Sequence, residues 1–305
     1  MNFTDKSKKL HLNDLSVIIL IIGLGFVIGQ LISYALVQLV DSSFFYELNQ
    51  IKESETADSK NAYLLKLIQF VSALFTFVIP PLIIGKLLYK NIENYLKLNI
   101  SPDITYYFLI VLFMFAIMPA MNIIIEWNES IKFPEWLSGM EDRMRRSEDS
   151  TQNMIKIILA GDRYFDLAVN ILLIAAIPAI GEEFLFRGVI QKFLTDRLKN
   201  VHIAILISAF LFSAIHFQFF GLVPRFLLGA FFGYLVYYSK SLWPAIWAHF
   251  LNNAVAVTAM FYISKGDLSE KIEKIGTQGY DIFYVIIGLI ITVFLGYFLF
   301  RKTDR

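Results

Sequence analysis

Charged positions in this chain are clustered, and the clustering leaves long uncharged apolar blocks between them. Six blocks, Ser16–Val40, Leu67–Gly85, Ile104–Ile125, Val201–Pro224, Ser241–Ser264 and Ile282–Phe300, are free of Lys, Arg, Asp and Glu over about 19–25 residues each. A helix rising 1.5 Å per residue needs about 20 such residues to cross a ~30 Å hydrocarbon core. Two shorter blocks complete the pattern. Leu167–Gly181 runs directly into Glu182 and Glu183, and Phe226–Ser239 ends on Tyr237 and Tyr238, which suit an interfacial anchor. The pattern predicts an all-α polytopic membrane protein of about eight transmembrane helices, with residues 1–305 forming a single transmembrane domain.

Composition agrees. Hydrophobic residues make up 57% of the chain and charged ones 17%, against about a quarter in a soluble domain. A net charge of +1 gives no basic surface for nucleic acid, and no nucleic-acid partner is expected. The absence of cysteine removes disulfides, thiolate catalysis and cysteine-ligated metal. Lys6, Lys8 and Lys9 precede the first block, but 25 uncharged residues exceed the ~7–15 of a cleavable signal, so Ser16–Val40 reads as a retained span. Basic density per loop residue places both termini in the cytoplasm. The segment 126–166, with Pro134, Trp136 and the charged run Glu141–Asp149, reads as a long extramembrane or interfacial element. The pairs Gly25/Gly29 and Gly229/Gly233 read as close helix packing.

Several polar residues stand inside or at the ends of apolar blocks: Glu182, Glu183, Arg187, His216, His249 and Asn253. An ionisable group at bilayer depth costs at least ~2.5 kcal/mol and marks a functional site by default. Glu183 and Arg187 are four apart and can pair on one helical face. Glu182 is rotated about 100° from Glu183 and has no local counterion, which fits it to take a proton near neutral pH as a general base does. His216 lies late in the fifth block among phenylalanines. His249 and Asn253 share a face and need a common partner or a cavity. The bland readings are a helix end in the headgroup region for the glutamates, and interhelical hydrogen bonds for the rest. Together, one carboxylate, two histidines and an amide on three spans are a hydrolase set: a base, a water-orienting partner and oxyanion donors. They equally resemble two histidines and a carboxylate around a zinc with one open position.

Glu182-Glu183…Arg187, Phe212…His216 and His249…Asn253 resemble, in order and spacing, the three motifs of the CAAX-protease and bacteriocin-processing family, which includes the Ras-converting endopeptidase. The stretch Ser241–Ile246 resembles that family too. The likeness covers about Leu167–Met260, the motif-bearing core; the first 160 residues match only as generic spans. It implies an intramembrane endopeptidase in which Glu182 and His216 activate water, His249 and Asn253 stabilise the oxyanion, and Glu183 and Arg187 support the site. It implies as partners the lipid bilayer and a membrane-associated or lipidated peptide or protein substrate. The likeness leaves a cofactor open: a metal-free site needs fewer partners and is the expectation, and a divalent metal such as zinc on Glu182, His216 and His249 is the alternative. A non-catalytic role in bacteriocin self-immunity or scaffolding is the rival reading. A proton-coupled transporter would need paired repeats, and none is visible.

Overall fold

In the computed structural model, residues 12–46, 59–88, 91–269, 271–272, 275–277 and 281–301 are described. The basic positions Lys6, Lys8, Lys9, Lys90, Lys302 and Arg305 that entered the orientation argument lie outside them. The described residues form long helices and no strand. These are α1 (Leu12–Val40), α2 (Lys60–Leu87), α3 (Ile104–Glu129), α4 (Ser138–Leu159), α5 (Tyr164–Leu198), α6 (Val201–Ala214), α7 (Leu222–Ser239), α8 (Trp243–Ser264) and α9 (Ile282–Leu299). Seven of them are long and apolar enough to cross a membrane, and α6 is a shorter apolar helix. The chain is an all-α polytopic membrane protein.

Three block boundaries move. The fourth block does not stop at Gly181; α5 runs on to Leu198, so Glu182 and Glu183 stand mid-helix with Arg187. The block Val201–Pro224 is not one span. α6 stops at Ala214, and α7 begins at Leu222 and absorbs Pro224 and Arg225 into its first turn. Pro is at home in a first helical turn, where its missing N–H has no partner to lose. His216 therefore sits in the turn between α6 and α7 rather than inside a span.

Prolines also shape α2 and α5. Pro80 and Pro81 follow a π-helical turn at Leu74–Val78, and Pro178 follows one at Ile171–Ala176. Proline lacks the N–H for the carbonyl four residues back and its ring crowds that carbonyl, so the ladder locally changes register. A third π-helical turn, Phe184–Ile190, carries Arg187.

α5 is the central helix, packing against α2, α6, α7 and α8, while α3 pairs with α9. Close approach depends on glycine at the α7 crossing. A Cβ on Gly233 would stand 2.7 Å from the Gln191 amide oxygen, and one on Gly229 would stand 3.2 Å from the Ala209 backbone. Gly25 and Gly29 likewise meet the backbone and side chain of Phe75 on α2. On one face of the bundle, the α2–α3 and α7–α8 connections are tied together: Leu242 N–H donates to Lys97 O (3.2 Å), Trp243 Nε1 to Leu98 O (2.9 Å) and Ser241 Oγ to Ile100 O. On the other face, α4 lies near the α6–α7 turn. There Arg145 sits over the Phe220 ring at 4.0 Å, and the Glu148 carboxylate accepts the Phe220 N–H at 3.2 Å.

Candidate active site

Glu183 is fully buried, and Arg187 and His249 nearly so. The i, i+4 spacing of Glu183 and Arg187 produces the expected ion pair, Nη1 to Oε1 at 2.6 Å. Arg187 also donates Nη2 to Gly229 O on α7 at 2.8 Å and lies against the rings of Phe212 (4.6 Å) and Phe232 (5.4 Å). One turn on, Gln191 repeats the pattern and donates to Gly233 O at 3.2 Å. The glycines that admit α7 thus expose two carbonyls that α5 reads with consecutive polar side chains.

His249 comes from α8 and meets both glutamates. Its Nδ1 is 2.9 Å from Glu183 Oε1, and its Nε2 is 3.9 Å from Glu182 Oε2. The first is a hydrogen bond; the second is too long for one and leaves the two groups facing. The ring is fixed by stacking on Phe232 (5.2 Å, 17°) and by the edge of Phe212 (5.7 Å). Glu182, 13% exposed at its side chain, is thus not without a neighbour: its partner arrives from a distant span.

His216 stands on the other side of Phe212, with ring centroids 5.5 Å apart. Its Nδ1 is 2.9 Å from Phe212 O. A carbonyl only accepts, so Nδ1 carries the proton and Nε2 of the neutral ring presents a lone pair. Ser213, three residues before this histidine, donates to Leu222 O at 2.7 Å and pins the start of α7.

Asn253 lies against the π-helical turn that precedes Pro178: its Nδ2 donates to the carbonyl of Ile174 at 3.4 Å. Asn252 donates to Asn253 Oδ1 at 3.2 Å, which orients the amide.

No group of three or more His, Cys, Asp or Glu side chains stands at metal-holding spacing among the described residues. In particular Glu182, His216 and His249 are not drawn together into such a set, and no step below is routed through a metal.

Sequence reasoning passed over several polar residues. Asn128 is buried and holds the α6–α7 connection, donating to Phe219 O (3.3 Å) and accepting from Val223 N–H (2.9 Å). Lys66 is buried in α2, and Asp166 in α5 accepts from Arg163 and Tyr63. Arg225 was treated as the break between two spans. Its signal was visible, because it is the one charged residue between Val201 and Ser239.

Fold and site define a polytopic α-helical membrane protein with a buried carboxylate–histidine centre. Residues 164–255 match the family model described as type II CAAX prenyl endopeptidase, Rce1-like. That segment, which holds all three motifs, is a CAAX-protease-family domain. No curated protein and no solved structure matches the chain.

Proposed function

We propose that this protein is an intramembrane endopeptidase that hydrolyses a peptide bond in or beside the bilayer, on a membrane-associated or lipidated substrate. The observation that carries the reading is the placement of His249 between two glutamates, with Nδ1 held by Glu183 and Nε2 facing Glu182. The match of this segment to an endopeptidase family supports it.

Glu183 is taken up by Arg187 and His249, so Glu182 is the carboxylate left to accept a proton. His216 Nε2 accepts a hydrogen bond from the attacking water and aims it. Glu182 removes the proton, and the oxygen adds to the scissile carbonyl carbon. The oxyanion that forms is met by N–H donors from one face of α8: Asn253 Nδ2, and Nε2 of a doubly protonated His249 whose Nδ1–H is held by Glu183. Glu182 then returns the proton to the departing amine as the C–N bond breaks. Glu183 and Arg187 hold His249 in place.

The test is Glu182→Gln, which keeps the side chain's shape and removes its basicity. Purified protein offered a library of membrane-tethered peptides is expected to lose at least ~10²-fold in rate, the lower scale of general base catalysis. Retention of more than about a tenth of the wild-type rate excludes Glu182 as the base.

A further inference from the structure

Arg225 belongs to none of the three motifs, yet it stands beside the site. Its guanidinium is seated by two features of the α6–α7 turn. Nη2 donates to Gln218 Oε1 at 2.7 Å. Gly221 leaves the space: a Cβ there would lie 3.1 Å from Nη2 and 3.4 Å from Nη1. Nη1 is buried and has no hydrogen-bond partner among the described residues. An unsatisfied buried donor on a cation is costly. The groups that interact electrostatically with Arg225 are Glu148 of α4 and Glu182 of α5, and His216 feels it as well.

A second observation concerns the same turn. The carboxylate of Glu148 reaches the turn from α4, accepts the Phe220 N–H at 3.2 Å and lies in the field of Arg225. Burial pushes the Glu148 carboxyl up, so its charge is held against a desolvation penalty. The turn already receives a carboxylate, from the protein itself, while one guanidinium nitrogen goes unused.

We infer that Arg225 is a specificity-determining residue that takes a carboxylate of the substrate beside the reacting peptide bond, through the Nη1 that has no partner among the described residues. The inference rests on the hydrolase reading above. A guanidinium presents parallel N–H groups that match a carboxylate's two oxygens. The substrate's carboxylate is either its free C-terminus or an Asp or Glu side chain, which offer the same pair of oxygens.

Binding is measured without turnover, on full-length Glu182→Gln protein in detergent micelles. Three fluorescent peptides of one hydrophobic sequence serve as probes: a free C-terminus with no acidic residue, a C-terminal amide with one Asp, and a C-terminal amide with none. At least one carboxylate peptide is expected to bind roughly tenfold or more tighter than the neutral one, the scale of one charge-assisted hydrogen bond. Which one does so identifies the source of the carboxylate. Adding Arg225→Gln should abolish the preference. Equal binding of all three peptides, or a preference unchanged by Arg225→Gln, overturns the inference. Should the Gln variant melt early, Arg225→Lys takes its place: it keeps the charge and loses the fork, and an undiminished preference again overturns the inference. If the preference appears and depends on Arg225 while wild-type protein cleaves none of the peptides, the anchor stands and the endopeptidase reading fails.

Discussion

Removing one member of the Glu183–Arg187 pair leaves a full charge buried in apolar surroundings, because both side chains have no exposed surface. Breaking such a pair typically costs about 3–5 kcal/mol. Glu183→Ala and Arg187→Ala are each expected to lower the melting temperature in detergent, and the double substitution is expected to cost less than the sum of the singles. Singles that melt like wild type would contradict the pair's structural role. The Arg187 singles carry an added penalty, since the Gly229 carbonyl loses its donor. At the same scale, no three ligand-type side chains converge among the described residues. Activity is therefore expected to survive chelator dialysis. The check is elemental analysis of active protein alongside the assay: near-stoichiometric zinc, lost and restored together with activity, would overturn this expectation.

Among the elements, the α2–α3 connection carries a testable charge. Burial holds the Lys97 ammonium down at about 8, and Lys240 and Lys192 nearby add like-charge repulsion. The unfolded chain keeps lysine near its ordinary value of 10.5. Between about 8 and 10.5 the unfolded state binds more protons than the folded one, so stability rises with pH across that window. Lys97→Met keeps the stem and removes the ammonium. It is expected to raise the melting temperature at pH 7 and to flatten the rise above pH 8; a wild-type slope in the variant would exclude Lys97 as its source. Lys97 also has φ +55°, a left-handed conformation that ends the turn after the one-turn helix Ile92–Tyr95. Its backbone carbonyl receives the Leu242 N–H, so this turn fixes the start of α8 and, two turns on, the height of His249.

For the molecule as a whole, alternation through the seven spans with the shorter helix α6 crossing as well puts Lys199 and Lys240 on one face and Trp136 and Gly266 on the other. We propose that the first face is cytoplasmic, as the basic density of its connections argues. The chain has no cysteine, so single-cysteine variants give a clean topology map. An impermeant thiol reagent added to intact cells should label positions 136 and 266 and spare 199 and 240. The reverse pattern would invert the orientation.

The sequence by itself determined the class, the helical membrane architecture and the motif residues. Uncharged length is a local property, and so is the i, i+4 spacing that pairs Glu183 with Arg187 and aligns His249 with Asn253. Tertiary structure alone decided which polar groups meet. That Glu183 is shared by Arg187 and His249, that His249 faces Glu182, and that Asn253 reaches the Ile174 carbonyl all depend on how α8 packs on α5. It also decided where α6 ends. Hydropathy averages over a window and could not see that the chain turns at His216 and begins a new helix before Arg225. A lone arginine in an apolar stretch reads as a loop on composition; inside the bundle, Gln218 and Gly221 seat its guanidinium in the first turn of α7. The physical reason is the same throughout: spacing along a helix fixes which side chains share a face, whereas partners across helices are chosen by packing and by the need of every buried polar group for a mate.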